Sequence, residues 1–473
     1  MRGSTRGLVV SLLGTVLVVT AQAPTVSAPR GDTVSGTLVA TVADDFAAGE
    51  DTDGLGIIPD EDPTRFVPLA GVEAADLAVA PGERVRARGR LAAGGLRTAA
   101  SGVRPLTARS APSEGSTPLV APFEEPEVAA AARTTSLLAI TVRFSDGSGG
   151  TVDKARLSRT LFGDGDSVST YYSETSRGSW TTKGRVVGPF TVSGSTRGCD
   201  WEGWGDSARD QAGRTVDLSA YTNVMVVWPT AACGWAGLGH VRGPYSWINQ
   251  STPSVLVTAH ELGHNYGLPH ASSYECRDAS GRRVTISDRC SVVGYADPFS
   301  AMGNRGARLH HGIHRQDLRL MSTRNVAYDE ATEVDLAPLY AAGGVRALRI
   351  PRDGRSSYVV EYRRPYATFD DFASASAVAT GVTIRVDQGG DDSLLLDTTP
   401  DTRSLDDAAL QVGRVFEDPT TGMRLTLEAR TSSLASVSVS WPSTRTPPAW
   451  LEGAGRSRAN VPVWRPPADL LRP

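Results

Sequence analysis

The stretch His260-Glu261-Leu262-Gly263-His264-Asn265-Tyr266-Gly267-Leu268-Pro269-His270 decides how this chain is read. Residues four apart share one face of a helix, so His260 and His264 can aim their imidazoles at one ion. Ser254 is a capping residue, and Val255, Ala259, Leu262 and Tyr266 make an apolar stripe beside the histidines, so the spacing predicts a helix from Val255 onward. Gly267 permits the left-handed turn that ends such a helix, and Pro269 helps keep the chain from resuming it. His270 can then swing back to the metal.

Three neutral imidazoles leave a fourth position for water, which separates a catalytic zinc site from a closed structural one. Glu261 follows a ligand directly, so its carboxylate can reach that water without binding the ion. Zinc lowers the pKa of the water from about 15.7 to roughly 7, and Glu261 can accept its proton during attack on a carbonyl, then pass it to the departing amine. The expected site is one catalytic Zn2+ on His260, His264 and His270, with Glu261 as the base. Two blander readings compete: histidines packed on an ordinary core helix, and a zinc site retained without activity. The fixed residues of the motif weigh against the first, and the joint presence of base and ligands weighs against the second.

With Met302 downstream, the motif resembles the metzincin pattern, in which a Met-turn follows the zinc helix. Gly294 to Gly303 (GYADPFSAMG), Gly234 to Asn249 (GWAGLGHVRGPYSWIN) and Val168 to Val187 (VSTYYSETSRGSWTTKGRVV) resemble segments of the gametolysin-like peptidases. The likeness covers most of residues 136–322. It implies a zinc endopeptidase whose upper sheet-and-helix half and smaller lower half meet at a substrate cleft. Met302 would be the hydrophobic floor beneath the three histidines. Gly237 to Trp247 would border the cleft, where an extended substrate adds as a strand. Tyr295 is left out of the catalytic set, because its spacing from Met302 differs from that of the oxyanion-stabilising tyrosines of some metzincins. His240 is read as a surface histidine. His310, His311 and His314 are read as part of a packed or solvent-facing helix in preference to a second metal site.

The chain has 473 residues, too many for one ordinary core, with abundant Gly (49) and Pro (29) that favour turns and β-structure. A net charge of −4 without a basic stripe argues against a nucleic-acid partner. Arg2 and Arg6 precede an apolar run from Leu8 to Val19 followed by small residues, so 1–28 reads as an export signal, too short to span a bilayer comfortably. The expectation is a secreted, extracellular protein with no membrane span in its mature form, acting on protein or peptide substrates. Oligomeric state is left open. Cysteine usage agrees with export: Cys199, Cys233, Cys276 and Cys290 form no Cys-x-x-Cys pair and are expected to be oxidised, with pairing between sequence neighbours favoured among three possibilities. A structural Ca2+ is conceivable, but no ligand pattern supports one.

Outward from the motif, an α+β catalytic domain of the metzincin-like zincin type is expected over 136–322, with Leu137 to Phe144 and Tyr221 to Trp228 as strands. Before it, 30–110 alternates in strands such as Val85 to Leu91, which predicts a small β domain and a propeptide. The Pro-, Ser- and Glu-rich stretch 111–135 is a linker suited to nicking. After it, 323–442 reads as a β-sandwich and 443–473 as a Pro-rich tail. No cysteine precedes Cys199, so a propeptide cysteine cannot block the metal. If 30–110 inhibits, a carboxylate or a steric cover must do so, with Asp44 and Asp45 as candidates. The alternative function is a secreted β-rich binding or adhesion protein with a vestigial zinc site.

Overall fold

The computed structural model describes residues 31–92, 95–106 and 132–442. The expected signal 1–28, nearly all of the linker and the tail 443–473 lie outside the described residues. The fold mixes helices and strands and is rich in sheet. Among the described residues, no helix is long and apolar enough to cross a membrane.

The apolar run from Leu137 lies in the strand Arg133–Phe144, central to the motif-bearing half. It pairs in parallel with Trp180–Val192 on one side and with Asn223–Trp228 on the other. Leu137 and Ala139 face the helices Lys154–Phe162, Val168–Thr175 and Val255–Asn265. Leu138, Ile140 and Val142 face the helix Trp201–Gly213. Both faces of the sheet are thus covered, which is why these strands read as continuous apolar runs rather than alternating ones. Tyr245–Asn249 continues the parallel set, and Gly237–Val241 then adds antiparallel. The disulfides are Cys199–Cys233, in this half, and Cys276–Cys290, across two strands that follow the motif, the pairing between sequence neighbours.

In the N-terminal unit, five strands close on themselves around Leu38, Leu55, Ile57, Val67, Val85 and Leu96. The long strand Asp32–Asp45 does more than close this barrel. Its second half, Ala40 to Asp44, pairs antiparallel with Val241 to Gly237, so the barrel and the sheet of the motif-bearing half form one continuous eleven-stranded sheet.

Two further sheets lie beyond the motif helix, one of eight strands and one of four. Their inner faces meet over Leu348, Ile350, Tyr358, Ile384, Leu425, Val437 and neighbours, the packing of a sandwich. The eight-stranded sheet crosses the division expected at 322/323, because Ala271–Arg277, directly after the motif, pairs in parallel with Ser393–Leu395. The segment carrying the third histidine is therefore fixed from both sides of that division.

Candidate metal centre

Ser254 caps the motif helix Val255–Asn265, its hydroxyl accepting from the Val257 amide at 3.2 Å. The helix ends at Gly267, whose φ of +94° is the left-handed conformation its sequence position calls for. The Gly267 amide donates to His264 O and the Leu268 amide to Gly263 O, satisfying carbonyls at the helix end and turning the chain so that His270 faces the helix again. Asp392 anchors that return: it accepts from the His270 amide at 3.1 Å and from the Ser272 hydroxyl at 2.6 Å.

The three expected ligands converge. Nε2 of His264 lies 3.0 Å from Nε2 of His260 and 3.1 Å from Nε2 of His270. On the far side of each ring, Nδ1–H donates: His260 to Ala301 O at 2.8 Å, His264 to Leu268 O at 2.9 Å, and His270 to Asp51 Oδ2 at 3.0 Å. These partners fix the tautomer that leaves each Nε2 lone pair free for a metal. All three rings are buried, at 0%, 1% and 3% exposure.

A fourth donor completes the cluster. Asp44, at the end of the strand Asp32–Asp45, places Oδ1 2.9 Å from His270 Nε2 and Oδ2 3.5 and 3.4 Å from those of His260 and His264. Among the described residues, these four form the one group of His, Cys, Asp and Glu side chains gathered closely enough to hold a metal ion. Burial would raise the pKa of Asp44, but the facing imidazoles His260 and His264 outweigh it and hold the carboxyl well below its ordinary value. Burial likewise works against charge on His270, yet Asp44 and Asp51 push its pKa up to about 10. Three convergent imidazole nitrogens facing one carboxylate, with Asp44 Oδ2 left without a hydrogen-bond partner, are a donor set that fits a divalent cation.

Glu261 lies beside the cluster, fully buried, and neither carboxylate oxygen has a hydrogen-bond partner. Burial first, and then the charge of Asp44, raise its pKa well above the ordinary carboxylate range. Room for it comes from two glycines of the strand Gly237–Val241. A Cβ at Gly237 would lie 1.9 Å from Glu261 Oε1, and one at Gly239 would lie 3.0 Å from Oε2. On the opposite side of the helix, Met302 is wholly buried, and its sulfur packs where a Cβ on Gly263 would have to go.

Several residues differ from their sequence reading. Tyr295, set aside on spacing, donates its hydroxyl to Asp44 Oδ1 at 2.6 Å, and its ring centroid is 4.2 Å from that of His270. Asp51 was not singled out by sequence. It lies across the hairpin from Asp44, in direct register with it. His240 is not a surface residue: it is fully buried, with the Phe66 ring of the N-terminal unit 4.9 Å away and Trp247 at 5.0 Å. His310, His311 and His314 are packed and buried rather than solvent-facing, and only His314 lies within the helix Gly312–Asp317, which His311 caps. Between Asp44 and Asp45, the first faces the cluster, whereas the second accepts from the Ala47 and Ala48 amides in the hairpin turn.

Comparison with known proteins agrees with this geometry. Residues 166–399 match the family model described as Gametolysin peptidase M11. No curated protein matches the sequence. A solved structure described as "Structure of a chaperone-substrate complex" has a TM-score of 0.20 and 13% identity over 51% of this chain, a likeness too slight to bear on the fold. The chain spans 37% of that structure's chain. The family match takes in the whole motif, the Met302 segment and the strand that fixes His270, and through these residues it supports a gametolysin-like zinc metallopeptidase.

Proposed function

We propose that the protein is a secreted zinc-dependent endopeptidase of the metzincin type, with His260, His264 and His270 as metal ligands and Glu261 as the catalytic base. The observation that carries this is the partnerless Glu261 carboxylate, buried beside three imidazoles whose Nε2 atoms converge. Burying a carboxylate without a partner costs several kcal/mol, which a purely structural residue would not be left to bear.

A bound zinc ion supplies a polarised carbonyl and water acidified to near neutrality. The chain's own residues do the rest. Glu261, with its raised pKa, accepts the proton of the attacking water and carries it to the departing amine. The Nδ1 contacts of His260 and His264 hold the ligand rings in place while charge develops. Met302 backs the helix at Gly263 as the Met-turn floor. The edge of the strand Gly237–Val241 that Ala40 to Asp44 occupies here is where an extended peptide substrate adds to the sheet. Export agrees with both disulfides.

The test is Glu261→Gln in protein nicked within residues 107–131. Hydrolysis of casein should be abolished by chelator in the wild type. In the variant it should fall by a factor of at least about 100, with about one zinc per chain retained. Undiminished hydrolysis in the variant removes Glu261 from the mechanism.

A further inference from the structure

The N-terminal unit lies along the edge of the strand Gly237–Val241 and places a carboxylate among the three convergent imidazoles. Ala40 to Asp44 runs antiparallel along Val241 to Gly237, completing the hydrogen-bonded edge beside Glu261. Asp44 is fully buried within reach of all three Nε2 atoms. A second carboxylate from the same hairpin, Asp51, accepts the Nδ1–H of His270. His260 and His264 have their Nδ1 partners within the metallopeptidase half, at Ala301 and Leu268, whereas the third ligand's partner comes from the N-terminal unit. Additional contacts hold the unit down: Tyr245 donates to Pro63 O, Arg209 Nε donates to Thr64 O at 2.8 Å, and Phe66 covers His240.

We propose that the N-terminal unit is an internal inhibitor that converts an open catalytic metal site into a closed one, with Asp44 as the fourth ligand and the strand Asp32–Asp45 in the substrate's place. The proposal rests on the metallopeptidase reading of the site. Its physical basis is coordination number. Three histidines and one carboxylate form a closed tetrahedral set with no position for water, the condition of a structural site, whereas three histidines alone leave one position open. The carboxylate competes intramolecularly, so its effective concentration stays high while the unit is tethered and drops once the chain is cut between 106 and 132 and the unit dissociates. Removal then uncovers the metal position, Glu261 and the strand edge together. Tyr295 holds the blocking carboxylate through its hydroxyl, and on release that hydroxyl is left facing the vacated position.

The experiment uses the uncut full chain with cobalt in place of zinc and azide as a small anionic probe, following the visible spectrum. Asp44→Ala leaves a gap the size of a carboxylate group, and Asp44→Asn keeps the shape while removing the charge. Uncut wild type should show no azide-dependent change, whereas both variants should bind azide at least about tenfold more tightly, Asp44→Ala through the emptied position and Asp44→Asn by displacement of a neutral carboxamide. After cleavage between 106 and 132, the N-terminal fragment should separate from the Asp44 variants at least about tenfold faster than from wild type, since a metal ligand has been lost. Equal azide response in wild type and both variants overturns the proposal, even if one variant folds poorly. Peptide hydrolysis by the cut wild type separates the two claims. A closed uncut site with an inactive cut protein leaves the latch standing and removes the peptidase reading. An uncut wild type as active as the cut one removes the latch alone.

Discussion

Asp51 and His270, far apart in sequence, meet at 3.0 Å through Oδ2 and Nδ1, so the third ring of the cluster is oriented by a residue of the N-terminal unit. Asp51 is partly exposed, and its pKa is lowered chiefly by this hydrogen bond. Partners of this kind typically change metal affinity 10- to 100-fold. Asp51→Ala in the uncut chain should therefore weaken zinc binding by about tenfold, measured by competition with a chelator. After removal of the N-terminal unit, wild type and variant should bind zinc equally, because Asp51 leaves with it. A difference that persists in the shortened proteins would mean that Asp51 acts through folding.

The two ends of the ligand motif are separable. His264 sits on the helix, and His270 is held by Asp392 and the turn at Gly267. His264→Ala and His270→Ala should each lose most bound zinc and reduce hydrolysis at least about 100-fold, in contrast to Glu261→Gln, which keeps its zinc. Metal analysis on the three purified variants is the check. Full zinc content in His270→Ala would remove it from the ligand set and with it the metzincin reading.

The sequence made some of this site readable and hid the rest for physical reasons. His260 and His264 are related by helical spacing, and His270 by a glycine turn, so local geometry brings them together. Ser254 as cap, Asp153 before the helix Lys154–Phe162 and Ser167 before Val168–Thr175 are also local signals, and all three side chains accept helix-end amides. Asp44 was readable as one of two adjacent carboxylates. The choice between them depends on which face of the strand meets the cluster, and that is set by the pairing of Asp44 with Gly237. Tyr295 and Asp51 escaped because their roles exist only once the N-terminal hairpin is docked. His240 was misread for the same reason, since its cover, Phe66, belongs to another unit.

Gly237 is a sharper test of the space around the base. An added Cβ would fall 1.9 Å from Glu261 Oε1 and 2.5 Å from its Cδ, so the carboxylate must swing away. Gly237→Ala should keep about one zinc per chain while lowering hydrolysis by about 100-fold, the cost expected when a reacting group is displaced by about 1 Å. Zinc content and initial rates on the nicked protein decide it. Normal activity would show that Glu261 is not held where the structure has it.

The buried histidines after the Met302 segment give a prediction about stability rather than catalysis. His310 is fully buried against Tyr171 and Tyr172, and its pKa is pushed down to about 3, by burial first and then by Arg363 and Arg315. His311 and His314 are lowered in the same direction, also by burial first. In the unfolded chain these rings titrate near 6.5, so between about 3 and 6.5 the unfolded state binds more protons than the folded one. Stability must then fall as pH drops through that window, and it is fully present only above about 6.5. For His310 alone, the loss between pH 7.5 and pH 5 is about 2 kcal/mol, from roughly 1.5 pH units at 1.36 kcal/mol each. His310→Gln, neutral throughout, should be less stable at pH 7.5, having lost the ring's packing on Tyr171, but should lose about 2 kcal/mol less on going to pH 5. Urea unfolding of both proteins at the two pH values gives the double difference, in which titration of the metal-site histidines cancels. A double difference near zero would mean that His310 takes a proton in the folded protein as readily as in the unfolded one, and that the pocket around it admits the charge.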